Sequence, residues 1–503
     1  MAENNELNAI KIFQSIDFGD IDGLYDRNVS NYFIDRNYWQ ELVDGRKFFV
    51  IGRKGTGKSA IYNWVEKQAK DRSVLVSNLS FRNFPFEKLL KLSDDNFSKP
   101  NQYQSVWRNI ILSEICKLII DDPQKDISHP CFSEISGFVA LKFGTELTEL
   151  HTKVATQTIK KETGLYLQSS QTTAESYSNQ SEICDGFSNI TQINVRLEHV
   201  IRQYLSSINN FKYVIQFDQL DDNYTVYIEN NEYFQCIISL FKVIYDINQS
   251  FYRDSLSVKV IGYLRTDIFY EINKFDAESA RWDDHKLYLS WAIINRSDWR
   301  HPLLMNMLDS RIVNSCSQMS SFQHPFSSLF KEIKLKSHNG HPQSVFSYIV
   351  RRSFQRPRDV IQFVKKIQEC CCNTNILNER TVLDAEKTYS LWLLTEIANE
   401  FGPLVKSKDS LNEFLRQFGS KDYSYMDFVE LYNGYYADKI GINSEDILDL
   451  LYRLGILTNV NITKKGKEYF SIIRNEQSSI NKNMRIELHR GILKGLHISN
   501  ENQ

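Results

Sequence analysis

Up to about residue 300 the apolar residues fall into two alternating patterns. Short continuous runs read as strands covered on both faces, and longer stretches with apolar residues every three or four positions read as helices. KFFVIG (47–52) is the first run, followed by a glycine-rich turn and the helical pattern SAIYNWVEKQAK (59–70). SVLVSNLS (73–80) reads as a second strand and QSVWRNIILSEICKLIID (104–121) as a helix. RLEHVIRQYLSSI (196–208), KYVIQFDQLDD (212–222), YFQCIISLFKVIYDI (233–247) and VKVIGYLR (258–265) continue the alternation, and HKLYLSW (285–291) closes it with a last strand. In YVIQF only Gln216 interrupts the apolar run. Strands alternating with helices predict an α/β fold with a mostly parallel sheet.

Elsewhere the pattern changes. Residues 1–45 read as a polar lead and then a helix, YFIDRNYWQEL (32–42). Residues 123–195 read as an insertion: LQSSQTTAESYSNQS (167–181) is polar and loop-like, and the flanks GFVALKF (137–143) and NITQINVRL (189–197) are read as holding short strands. After residue 300 the strands stop, and LLMNMLDSRI, VFSYIVRRS, DVIQFVKKIQECC and AEKTYSLWLLTEIANEF are all helical. In the last hundred residues SLNEFLRQF, YMDFVELYN and SEDILDLLYRLG read as three short helices. ILTNVNITKKGKEYFSII reads as a two-stranded wing turning at Lys465-Gly466. The expected division is a core over 1–300, a helical lid over 301–402 and a winged-helix domain over 403–503.

Composition excludes several classes. At 503 residues, 42% hydrophobic and 24% charged, the chain is an ordinary globular one with more than one core. A net charge of -2 gives no overall basic surface for nucleic acid. No apolar run spans a bilayer, and the polar N-terminal residues do not read as a signal peptide, so a cytoplasmic location is expected. Of the eight cysteines, Cys370, Cys371 and Cys372 are consecutive. Neighbours on a helix diverge by about 100°, so free thiols are expected there rather than a metal centre.

The candidate chemistry begins at Gly52. Gly52-Arg53-Lys54-Gly55-Thr56-Gly57-Lys58-Ser59, with Ala60 following, fits G-x-x-x-x-G-K-[ST] between a predicted strand and a predicted helix. Glycines let successive backbone N–H groups converge on phosphate oxygens, Lys58 meets the β- and γ-phosphates, and the Ser59 hydroxyl ligates magnesium. ATP with Mg2+ is the expected ligand. Asp218, ending the strand YVIQF, is the expected magnesium-shell carboxylate. The next residue, Gln219, cannot act as a base, so Asp221 or Asp222 is the candidate to activate water, the alternative being a helix cap or a solvated carboxylate. Arg265 ends another strand, where it is a candidate to report the γ-phosphate or a neighbouring subunit's nucleotide, the alternative being a surface salt bridge with Asp267. Arg358, in Arg356-Pro357-Arg358-Asp359 at a helix start, is a second candidate reporter, against a solvated arginine with Asp359 as cap.

Taken together, FVIGRKGTGKSAI, VIQFDQLDD, GYLRTDIF, LDSRI and RPRDVIQF, in that order, resemble the bacterial AAA+/STAND P-loop ATPases. The nearest likeness is to an ATPase family found beside defence and toxin–antitoxin genes. YFID, Trp107-Arg108 and, more loosely, IELHRGILKGL fit the same pattern. The resemblance implies an ASCE-type sheet, a helical lid and a winged helix. It also implies a nucleotide-dependent switch that forms a homo-oligomer or controls a separate effector protein. Gln219 and the polar insertion depart from that pattern. In the predicted recognition helix SEDILDLLYRLG, Glu445, Asp446 and Asp449 would repel phosphate and only Arg453 is basic, so protein contact is favoured over DNA, despite Lys464, Lys465 and Lys467 on the wing.

Overall fold

In the computed structural model the described residues are all but 1, 24, 82–100, 144–184, 209–211, 221–230, 276–278, 296–297, 300–301, 337–339, 402–403, 465, 477 and 499–503. They divide into two compact units, one of residues 1–35, 54–60 and 290–503 and one of residues 36–53 and 61–289. Among them no helix is long and apolar enough to cross a membrane.

The second unit is built on a five-stranded parallel sheet. β1 (Phe49–Gly52), β2 (Leu75–Ser80), β3 (Tyr213–Asp218), β4 (Val258–Arg265) and β5 (Lys286–Tyr288) lie in the order β2-β3-β4-β1-β5. That is the order expected of the ASCE class. Every residue of β1 and β3 is buried, which explains their continuous apolar runs.

Successive side chains of a strand face opposite ways, and β3 shows what covers each face. Gln216 donates to the Tyr62 carbonyl of α2 (Lys58–Asp71) at 3.2 Å and to the Asn78 side chain at 2.9 Å, and it accepts from Tyr263 Oη at 2.6 Å. The polar break in the run is therefore fully bonded. Phe217, on the other face, meets Trp107 of α3 (Gln104–Asp121), whose indole donates to the Cys236 carbonyl of α6 (Asn231–Arg253) at 2.9 Å.

Two helices lie where short strands were expected. GFVALKF belongs to α4 (Pro130–Phe143) and NITQINVRL to α5 (Asp185–Ser207). The buried residues of α4 are Phe132, Ile135, Phe138 and Val139, and those of α5 include Ile190, Ile193, Leu197, Val200 and Ile201. Both sets recur at helical spacing, which the short excerpts concealed. The second unit also contains α7 (Thr266–Phe275).

The first unit is mainly helical. α1 (Ala2–Ser15) lies in the stretch read as a polar lead. The helix expected over 32–42 is absent from this unit; its second half, in the second unit, is a π-turn at Trp39–Val43, preceded by Asn37 in the left-handed region at φ 62°. α8 (Leu303–Ser315), α9 (Pro325–Leu329), α10 (Val345–Arg352), α11 (Pro357–Thr374) and α12 (Glu379–Phe401) follow. Between α9 and α10, β6 (Lys334–Lys336) and β7 (Pro342–Ser344) form a small antiparallel pair, so the strands do not stop at residue 300. These three-residue strands are too short to show a period.

The C-terminal part has the winged-helix elements: α13 (Lys408–Phe418), α14 (Tyr425–Tyr435), the short α15 (Ala437–Ile440) and α16 (Ser444–Arg453) precede β8 (Leu457–Thr463) and β9 (Gly466–Phe470). The wing has a third strand, β10 (Arg485–Leu488), giving the order β10-β8-β9. α17 (Arg490–Leu493) then returns to α10 and α12. Gly491 lies so close to the Arg352 carbonyl that a Cβ there would collide with it. Buried charges in this unit are paired: Arg311 with Asp26 at 3.3 Å, Arg352 with Glu386 at 2.6 Å and Arg356 with Asp359 at 2.8 Å.

Candidate phosphate-binding site

β1 ends at Gly52 and α2 begins at Lys58, so residues 53–57 form the turn between them. Gly55 and Gly57 take φ of 82° and 98°, a region that side chains rarely enter. Left-handed glycines directly before a helix N-terminus produce the concave run of N–H groups that binds anions. Lys58, Ser59 and Ala60 occupy the first turn of α2. The residues present therefore suit a phosphate group, with Ser59 as the hydroxyl for a magnesium ion.

Residues 54–60 belong to the first unit, and other residues of that unit hold them. Trp291 Nε1 donates to the Thr56 carbonyl at 2.9 Å, and Thr56 is buried. The Arg358 backbone N–H donates to the Gly55 carbonyl at 3.3 Å. A Cβ on Gly55 would stand 2.9 Å from the Arg358 Cβ.

Side-chain charges cross the same contact. Lys54 Nζ lies 3.5 Å from Glu396 and 3.8 Å from Glu400, one turn apart on α12. Arg358 Nη1 shares Glu396 at 3.2 Å, and its Nε, which is buried, has no hydrogen-bond partner among the described residues. Arg356 Nη1 reaches Glu400 at 4.0 Å while its other nitrogens grip Asp359 at 2.8 and 2.9 Å. Burial by itself would lower the Arg356 pKa, but the Asp359 carboxylate outweighs it and the guanidinium is held firmly charged. Asp359 is fully buried and also accepts from the Phe354 N–H at 3.1 Å.

In the sheet, Asp218 is 3% exposed at the carboxyl end of β3, the end from which the loop leaves β1. Burial, and after it the Asp218 charge, raises the pKa of the Tyr62 and Tyr263 hydroxyls. Gln219 stands at φ 60° and its side chain accepts from the Ser80 hydroxyl. Arg265 is paired with Gly52 in the strand register, and its guanidinium makes two hydrogen bonds to Asp267, at 3.0 and 2.6 Å. Asp221 and Asp222 lie outside the described residues.

Sequence reasoning missed Trp291, Glu396 and Glu400. The two glutamates carry one readable signal, a four-residue spacing that puts both on one helix face. Nothing in the sequence says which face meets the loop.

Residues 302–398 match the FunZ-associated C-terminal helical domain. That stretch runs from the start of α8 into α12, contains Arg356, Arg358, Asp359 and Glu396, and covers less than half of the chain. No curated protein matches the chain. Among solved structures, the Aeropyrum pernix ORC2 protein in its ADP form is similar over 90% of each chain, with 11% identity and a TM-score of 0.28. A likeness that distant leaves the reading of this chain to its own residues.

Proposed function

We propose that the chain is a regulatory ATPase that binds ATP with magnesium at residues 52–60 and uses nucleotide state to control its own assembly or a separate effector protein. The observation that carries this reading is the loop itself, with Gly55 and Gly57 left-handed between a buried parallel strand and a helix N-terminus. Gly52, Lys54, Gly55, Thr56, Gly57 and Ala60 form the cradle, Lys58 takes the β- and γ-phosphates, and Ser59 and Asp218 hold the magnesium shell. The metal supplies charge neutralisation at the phosphates. Asp221 or Asp222 orients the water that attacks the γ-phosphorus, releasing ADP and phosphate. Arg265 and Arg358, each held by a carboxylate, report the γ-phosphate. The lid over 301–402 and the winged helix over 403–503 transmit the state. A role in antiviral defence is added by the family resemblance alone.

Phosphate release from the purified protein tests this. Slow, magnesium-dependent turnover is expected, reduced roughly tenfold or more by Asp218→Asn. Turnover unchanged in that variant removes Asp218 from the site. Absence of turnover with ATP binding retained gives the scaffold reading, in which activity resides in a partner.

An initiator or loader acting on duplex DNA is the alternative. The wing does not favour it, because Lys467 is tied to Asp422 at 2.8 Å and Glu487 at 3.2 Å, and Lys482 to Glu445 at 2.6 Å. Filter retention of duplex at two salt concentrations decides: salt-sensitive retention supports DNA contact, and no retention removes it.

A further inference from the structure

We propose that Glu396 and Glu400 of α12 form an electrostatic latch on the phosphate loop, one that a nucleoside triphosphate must displace. The proposal rests on the nucleotide-binding reading above and deepens it. Two carboxylates one turn apart face three cations, Lys54 on the loop and Arg356 and Arg358 at the start of α11. Glu396 is bound by Lys54 and Arg358 together, at 3.5 and 3.2 Å. All the partners are partly or largely shielded, with side-chain exposures between 5% and 29%. Their attraction is therefore screened less than that of a surface pair.

Two of the three cations bear on the nucleotide. Lys54 lies inside the phosphate-binding motif, and the backbone of Arg358 is hydrogen-bonded to Gly55. Arg356 is committed to Asp359 and serves as a fixed anchor. A polyphosphate brought to the loop competes with Glu396 and Glu400 for Lys54 and Arg358. It is also repelled by the two carboxylates. Binding of a triphosphate thus draws Lys54 and Arg358 away from α12 and frees that helix from the loop. A diphosphate carries less charge and competes less.

A scaffolding role for the glutamates predicts the opposite sign. If they only held the loop in its binding shape, their loss would weaken ATP binding. If they are a latch, their loss strengthens it.

The test uses the full chain and the double variant Glu396→Gln, Glu400→Gln, which keeps side-chain size and hydrogen bonding. Equilibrium binding of ATP and ADP is measured, together with amide hydrogen exchange of residues 54–60 without added nucleotide. The latch predicts ATP binding roughly fivefold tighter in the variant, a smaller gain for ADP, and faster loop exchange. Weaker ATP binding, or unchanged loop exchange with ATP binding intact, overturns the latch and leaves the nucleotide reading standing. Absence of ATP binding in both chains overturns the nucleotide reading and the latch with it.

Discussion

Gly55 answers two demands at one position: a left-handed backbone and a close approach to the Arg358 Cβ. Gly55→Ala is therefore expected to keep the fold and weaken ATP binding roughly tenfold, since a left-handed non-glycine residue costs about 1–2 kcal/mol before the steric contact is added. Equal affinity in parent and variant would show that the loop tolerates another shape. Arg356 presents a different balance. Its partner Asp359 is fully buried, so Arg356→Met would strand a carboxylate and is expected to lower unfolding free energy by about 3–5 kcal/mol, read from urea denaturation. Lys259 offers a pH test. Burial, with Lys212 nearby, lowers its pKa to about 8. Between that value and the ordinary lysine range the unfolded chain holds a proton that the folded chain has lost, so this residue's contribution to stability rises with pH. Lys259→Met should flatten that rise over the same window, as measured by denaturation midpoints at successive pH values.

At the scale of elements, what short-range pattern determines was legible. The five parallel strands, the loop after β1 and the helices α2, α3 and α6 follow from runs and periods contained in single windows. The strand readings of α4 and α5 failed because seven to nine residues of mixed apolar and β-branched character do not separate the two periods. Their buried residues do so only over two or more turns. Gln216 could be flagged but not explained, since its partners Tyr62, Asn78 and Tyr263 come from three other segments. The glutamates of α12 were invisible for the same reason: their meaning lies in what they touch. α17 gives the element-scale prediction. Gly491→Ala drives a Cβ into the Arg352 carbonyl, and a loss of about 1–3 kcal/mol is expected, with faster hydrogen exchange in residues 490–496. Unchanged exchange would mean that α17 docks less closely than described.

At the scale of the whole chain, the phosphate loop belongs with the helical unit by its contacts, although it is covalently continuous with the sheet. Trp291, Arg358, Glu396 and Glu400 give that unit a direct hold on the segment proposed to bind phosphate. This is the physical basis for reading the protein as a switch. The most direct test is a calorimetric titration of ATP with magnesium into the parent and into Lys58→Ala. The account predicts saturable one-site binding by the parent and none by the variant at the same concentrations. Binding of equal affinity by the two proteins would contradict it.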